Sequence, residues 1–202
     1  MSETAKDKII AAAITLFAEK GYEMTSVRDI VSLAGVNIAS INYHFGSKEG
    51  LFQYLAEEFA HKKFFLVSSV LEEPQSLEEF KLRLSMFMGQ FLAMALNEQE
   101  SFFMMHKNID TLSKMAPETF KQIFLKTYNQ FLNFVETAQS LGFIRKNCDA
   151  RIIVQILFGS LIEMVRGNEL RKNLVSMDIA DKEFVDSYIS TTIDLLLNGL
   201  GV

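Results

Sequence analysis

The sequence contains a single cysteine, two prolines and no tryptophan among its 202 residues. The lone Cys148 excludes an intramolecular disulfide and suits a reducing compartment. No apolar run approaches the roughly 18 residues that a membrane-spanning helix needs. The polar, charged start of the chain also lacks the pattern of a secretory signal. We therefore expect a cytoplasmic protein with no membrane partner.

The scarcity of proline, with a composition that is 49% hydrophobic, favours a helical chain with a substantial core. Apolar residues recur at helical spacing and predict about nine helices and no strand. We predict an all-α fold, with an N-terminal module of three short helices over residues 1–47 joined to a C-terminal helical bundle over residues 48–202. Within the bundle, the pattern predicts one helix over about 99–110 and a polar loop over residues 167–173.

Two short helices joined by a tight turn, a helix-turn-helix, are predicted over about residues 27–34 and 38–44. Ser26 and Asp29 resemble a capping box, Gly35 falls where a left-handed residue turns the chain, and Asn37 is a good N-cap. With the apolar positions assigned inward, the second helix exposes Asn37, Ala39, Ser40, Asn42, Tyr43 and His44. These residues are small or form hydrogen bonds and include no acid, which suits a DNA major groove.

The charge of the chain is weaker evidence about DNA binding than the helix-turn-helix pattern. The formal net charge is -5, and residues 1–52 carry five basic against six acidic side chains. Arg28 and Lys48 flank the predicted helix-turn-helix. We therefore expect marginal nonspecific affinity for DNA and strong dependence on salt.

The stretch GYEMTSVRDIVSLAGVNIASINYHFGSKEGLF resembles the DNA-binding domain of the tetracycline-repressor (TetR) family of bacterial transcription regulators. The resemblance covers about residues 5–55. It implies a repressor that binds palindromic double-stranded DNA as a homodimer and is released by a small ligand. By position it implies phosphate contacts from Thr25, Ser26, Tyr43, His44 and Lys48, and base contacts from Arg28, Ala39, Ser40 and Asn42. The family usually has an aromatic residue in place of Asn42, so whether Asn42 contacts a base, adenine being favoured, or the DNA backbone stays open.

The resemblance also implies that residues 1–47 are the DNA-binding domain and residues 48–202 the ligand-binding and dimerisation domain. Within the latter it implies a dimer interface on the last two helices and an effector pocket in the helices before them. The predicted interface consists of Ile152, Ile153, Ile156, Leu157, Ser160, Leu161, Met164, Val185, Tyr188, Ile189, Thr192, Ile193 and Leu196. The predicted pocket takes a small apolar effector, such as a lipid, an acyl chain or an aromatic drug. Its residues are Phe87, Phe91, Met94, Phe102, Phe103, Met105, His106, Phe120, Phe124, Tyr128 and Phe131.

Other classes of protein have thinner support. Glu58 and His61 form one half of a di-iron motif, but the second half is absent from the sequence. Cys148 has no companion cysteine for redox chemistry. We predict no enzyme, no cofactor and no metal. The alternative is a helical adaptor that keeps the fold but binds protein instead of DNA, which the acidic charge and Asn42 favour.

Overall fold

The computed structural model describes residues 4–199, apart from the side chains of Val67 and Ser68. These residues form helices and turns with no strand, which confirms the all-α prediction. The helices are α1 (Ala5–Glu19), α2 (Val27–Ala34), α3 (Ile38–Phe45), α4 (Lys48–Val70), α5 (Leu77–Asn97), α6 (Gln99–Lys107), α7 (Ile109–Met115), α8 (Glu118–Ser140), α9 (Ala150–Arg166), α10 (Asn168–Val175) and α11 (Lys182–Asn198). No helix among them is long and apolar enough to cross a membrane.

The described residues form eleven helices where the sequence predicted about nine. The single helix predicted over about 99–110 is two helices, α6 and α7, which meet at Asn108. The loop predicted over 167–173 was wrong, because this segment lies largely in α10. Its apolar residues Leu170 and Leu174 face outward, so the usual pattern of burial is missing there.

The chain divides into two compact units. The first combines the residues up to Lys62 with Glu98–Phe124, and the second combines Lys63–Asn97 with the residues from Leu125 onward. Helices α4 and α8 each contribute residues to both units. The predicted domain boundary after residue 47 divides the chain by function and stays a prediction. Residues 1–3 and 200–202, at the outer ends of the two predicted domains, lie outside the described part.

The core of the first unit is built on α1, which packs against α2, α3 and α6. Phe17 and Phe52 are fully buried and meet edge to face, with their ring centroids 5.6 Å apart. Tyr22, from the loop after α1, lies 5.5 Å from the Phe17 ring and 5.0 Å from the Phe52 ring. Each buried Phe contributes about 1.5–3 kcal/mol, so this cluster fixes the loop that leads into α2.

The second unit is organised around α5, which packs against α9 and α11. Hydrogen bonds at two places show that α9 and α11 run antiparallel. The Tyr188 hydroxyl donates to Ser160 Oγ at 3.0 Å. Arg145, which precedes α9, donates to the carbonyl of Asn198 at the end of α11 at 2.9 Å.

Candidate nucleic-acid interface

The caps of α2 and α3 set the geometry of the helix-turn-helix. Ser26 and Asp29 form the predicted capping box, and Gly35 ends α2 in the left-handed region at φ 64°. The Asn37 side chain accepts a hydrogen bond from the Ser40 backbone at 3.0 Å and caps α3. All three predictions about this turn are confirmed. The caps form there because each satisfies backbone groups that a helix end leaves without an intrahelical partner.

Helix α3 is held by one buried face and exposes the other. Ile41 is fully buried, as is Ile30 on α2. The residues predicted to face outward are exposed, except for Ser40, which is half-buried. Tyr43 is 85% exposed, and its ring meets His44 edge to face at 4.9 Å. The exposed face of α3 therefore carries hydrogen-bonding groups and no carboxylate, and its contacts with DNA stay a prediction.

Asp29 is the acid that lies within α2 and α3. Its carboxylate accepts hydrogen bonds from the Ser26 backbone at 2.9 Å and from the Ser26 hydroxyl at 2.8 Å. These two bonds, the backbone one first, hold the pKa of Asp29 below its usual value. Its charge is therefore used to cap α2. Ser26 and Arg28 are exposed on the same helix start.

Thr25 and Lys48, both predicted to contact phosphate, have structural partners. Thr25 is 1% exposed, and its hydroxyl donates to the Gly21 carbonyl at 2.8 Å. Lys48 Nζ donates to the carbonyls of Tyr22 at 3.0 Å and Thr25 at 2.9 Å, and it lies 4.0 Å from the centre of the Tyr22 ring. An ammonium has three donors, so one donor of Lys48 remains while the other two join α4 to the loop before α2. The Thr25 hydroxyl has no exposed surface to offer.

The junction between α3 and α4 is a close approach of two backbones. Gly46 has a φ of 76°, and the Ser47 hydroxyl accepts a hydrogen bond from Gly50 N–H at 3.0 Å. A Cβ at Gly50 would overlap the carbonyl oxygen of Phe45. A side chain at residue 50 would therefore force α3 away from α4, and glycine is required there.

Asn108 supports this site, and sequence reasoning missed it. Its side chain is buried, with Oδ1 accepting from Tyr22 N–H at 2.6 Å. Its Nδ2 donates to the carbonyls of Phe17 at 3.0 Å and Met104 at 2.6 Å. The side chain thus joins α6 to the end of α1. The only available signal was a polar residue at the break between two apolar segments, which also describes an ordinary loop.

The residues predicted for the effector pocket fall in both units. In the second unit, the Phe87, Phe131 and Phe158 rings pack with centroids 4.9–5.9 Å apart. Phe124, in the first unit, is 59% exposed. The structure contains a cavity of about 140 Å³ in the first unit and an open groove of about 560 Å³ between α5 and α11 in the second. Neither is lined by a predicted pocket residue, so the pocket stays a prediction.

The residues predicted for the dimer interface differ in their exposure, and the interface itself stays a prediction. The buried members, Ile153, Leu157, Leu161, Met164, Ile189 and Ile193, belong to the core of the second unit. Ser160, Val185, Tyr188, Thr192 and Leu196 are half-buried. Ile152 and Ile156, one turn apart on α9, are 57% and 64% exposed. The two apolar stripes of α9 therefore have different roles, since one faces the core and the other is open to solvent.

The residues considered for metal or redox chemistry are exposed at the surface of the chain. Glu58 and His61 are both exposed on α4, and Cys148 is an exposed free thiol. Among residues 4–199, no group of three or more His, Cys, Asp or Glu side chains is placed to hold a metal ion.

Comparison with known proteins places the helix-turn-helix in a family. Residues 9–55 match the family of bacterial regulatory proteins of the tetR type. The regulator IcaR of Staphylococcus aureus, a negative transcriptional regulator of a biofilm operon, is 50% identical over 48 residues, which cover 24% of this chain and 26% of IcaR. Curated relatives of this kind are thus matched over only about a quarter of their length.

Solved structures extend the likeness in fold to the whole chain. The TetR-family regulator PfmR of Thermus thermophilus covers 100% of both chains with a TM-score of 0.76 and 22% identity. The regulator FadR of Bacillus subtilis, solved in complex with stearoyl-CoA, has a TM-score of 0.71 and 19% identity over 96% of this chain and 98% of its own. The described part of the chain is all-helical with an N-terminal helix-turn-helix that matches the TetR family over residues 9–55, and its fold resembles that of TetR-family regulators along the whole chain.

Proposed function

We propose that this chain is a cytoplasmic transcriptional regulator that binds a palindromic operator as a homodimer and is released from it by a small apolar effector. Residues 1–47 bind DNA, and residues 48–202 bind the effector and form the dimer. The observation that carries the proposal is the exposed, acid-free face of α3, held by its caps within a domain that matches the TetR family. Repression is supported by the relative IcaR, a negative regulator.

The roles of individual side chains follow from their exposure. Asn37, which caps α3, and Ala39 and Asn42, which lie on α3, are exposed, and we assign them to base edges or the neighbouring DNA backbone. Tyr43 and His44, at the end of the same helix, contact phosphates. Each of these side chains reaches DNA without having to leave a buried position.

Basic and hydroxyl groups complete the interface. Ser26 and Arg28 meet DNA at the start of α2, where free backbone N–H groups favour an anion. Lys48 contributes its remaining donor to phosphate. Thr25 is left out of the proposed interface, because the residue is buried and its backbone N–H and carbonyl already bond to Tyr22 and Lys48.

The dimer is proposed to form on α9 and α11. Ile152 and Ile156 form the exposed apolar centre, and the half-buried Tyr188, Thr192 and Leu196 flank it on α11. Two helices from each protomer give a symmetric four-helix interface. In such a dimer the two recognition helices lie about 34–36 Å apart, or a multiple of that distance, to enter successive major grooves.

The effector is proposed to be an extended apolar compound, with an acyl chain as the favoured class. The related fold of FadR holds stearoyl-CoA, and in the second unit of this chain aromatic side chains of α5, α8 and α9 pack together. Such a ligand would have to separate the packed Phe87, Phe131 and Phe158 rings. Helix α4 begins beside the helix-turn-helix and ends in the second unit, so a shift of α4 would couple effector to operator by about 1–3 kcal/mol.

Fluorescence anisotropy with DNA from the region flanking the chain's own gene tests the proposal. We expect saturable binding to one fragment, loss of affinity as salt rises, and about 5- to 150-fold weaker binding with a saturating acyl compound. Failure to bind any fragment at low salt would overturn operator binding and favour the helical adaptor. Unchanged operator affinity with a bound acyl compound would overturn only its role as the inducer.

A further inference from the structure

The cavity of the first unit lies among α1, α4 and α6. Its volume is about 140 Å³, and its apolar walls are formed by Ile10, Ile14, Leu55, Phe59 and Met104. No residue of α2 or α3 lines it. It is therefore separate from the recognition surface, and it shares no residue with the predicted effector pocket.

The size of the cavity limits what it can hold. An apolar protein cavity of about 150 Å³ is known to accept benzene. One six-membered ring or a short branched alkyl group therefore fits within the walls. A long acyl chain is too large for this space.

The polar side of the cavity carries an excess of negative charge. Lys62 Nζ bonds both carboxylate oxygens of Glu98, at 2.8 and 2.9 Å, so these two charges satisfy each other. Glu58 also lines the cavity, one turn of α4 before Lys62. Within the described part of the chain, its carboxylate makes no hydrogen bond or ion pair. A cation that enters the cavity beside its apolar part would meet this carboxylate.

We propose that the cavity binds a small organic ammonium compound, whose single compact apolar group lies between α1, α4 and α6 and whose cationic end faces Glu58. The apolar walls supply the affinity through burial of the ring. The carboxylate supplies the preference for a cation over a neutral or anionic compound of the same shape. The Ser101 hydroxyl, also in the lining, is an acceptor for one ammonium N–H. The proposal does not depend on DNA binding, because the site can be measured on the protein alone.

Three probes of matched shape test the charge preference: benzylammonium, benzyl alcohol and benzoate. We expect calorimetry or ligand-observed NMR to give the tightest binding for benzylammonium and the weakest for benzoate. An exposed ion pair of this kind changes affinity by up to about fivefold. Equal affinity for all three probes, or no saturable binding of benzylammonium to the folded protein, would overturn the proposal.

Two substitutions on α4 separate the site from general charge effects. Glu58→Gln removes the carboxylate that lines the cavity, whereas Glu57→Gln makes the same change one residue away, outside the lining. We expect the first to remove the preference for benzylammonium over benzyl alcohol and the second to preserve it. If both variants behave alike, the carboxylate of Glu58 does not select the ligand.

A third substitution fills the space. Ser101→Leu places a larger apolar side chain in the cavity on a helix that favours leucine, and we expect more than a tenfold loss of benzylammonium affinity with an unchanged circular dichroism spectrum. If this variant fails to fold, methyl NMR of the wild-type protein locates the ligand instead. Shifts confined to Ile10, Ile14, Leu55 and Met104 support the site, and shifts confined to other residues overturn it.

Discussion

Replacing Asn108 by alanine should loosen the link between α6 and the loop that leads into the helix-turn-helix. The substitution removes the partner of Tyr22 N–H and both Nδ2 hydrogen bonds. The two carbonyls that Nδ2 contacts keep backbone donors, since Phe17 accepts from Gly21 and Met104 accepts from residue 108 itself. The loss therefore concentrates on the buried N–H of Tyr22.

The expected loss of stability follows from the hydrogen bonds that the substitution removes. A buried donor without a partner costs about 1–3 kcal/mol, and each lost hydrogen bond contributes about 0.5–1.5 kcal/mol net. Because the two carbonyls keep partners, we expect Asn108→Ala to lower the free energy of unfolding by about 2–4 kcal/mol. That is a large part of the 5–15 kcal/mol or so that stabilises a typical protein.

Chemical denaturation measures the global effect, and hydrogen exchange of the Tyr22 amide measures the local one. Asn108→Asp keeps an acceptor for Tyr22 but sets an oxygen against the two carbonyls. We therefore expect it to destabilise the protein while the Tyr22 amide stays slower to exchange than in Asn108→Ala. Asn133→Ala, at an exposed position of α8, is the control and should change stability by less than about 0.5 kcal/mol. Wild-type protection of the Tyr22 amide in Asn108→Ala would refute the reasoning.

Three further predictions follow from the same geometry. Lys48→Ala should weaken binding to all DNA sequences and reduce the slope of log affinity against log salt concentration by about one, as measured by fluorescence anisotropy. Asn42→Ala should relax discrimination at one base pair in the same assay. An equal loss on all sequences would instead assign Asn42 to the DNA backbone. Ile156→Glu should give a monomer in light scattering, whereas Leu125→Glu, at a position with similar exposure on α8, should remain dimeric; a dimeric Ile156→Glu would place the interface elsewhere. Burial lowers the pKa of Lys63 to about 8 from its ordinary value of 10.5. Between these two pH values the unfolded chain binds more protons than the folded chain. The free energy of unfolding should therefore rise with pH, by at most about 3 kcal/mol. Lys63→Met should remove that rise in denaturation measured at pH 7.5 and 10.5, and an identical pH dependence in both proteins would contradict it.

The helix-turn-helix could be predicted from the sequence because its determinants are local. Ser26 and Asp29 lie three residues apart and cap the start of α2 together. Gly35 and Asn37 adopt the conformations that their chemistry favours. Each of these features needs only a few neighbouring residues, so a single sequence contains the required information.

The features that the sequence did not predict depend on distant residues. Asn108 finds its partners at Phe17 and Tyr22, more than 80 positions away. The two apolar stripes of α9 look alike in sequence, yet Ile153 is buried and Ile152 is exposed. Lys48 was expected to face phosphate, but two backbone carbonyls fix its ammonium. Periodicity identifies an apolar face without identifying what covers it.

The acidic charge of the chain is compatible with the proposed function because of where the charges lie. The carboxylate of Asp29 is engaged by the cap of α2, and the ammonium of Lys48 has one donor left after its two carbonyls. Few cations remain to neutralise phosphates, so nonspecific affinity is low from the start and falls further as salt rises. Affinity for an operator must then come largely from the uncharged groups of α3, such as Asn42, which meet base edges. A shortage of cations therefore favours discrimination between sequences, because it reduces the phosphate contacts, which are the same on all DNA.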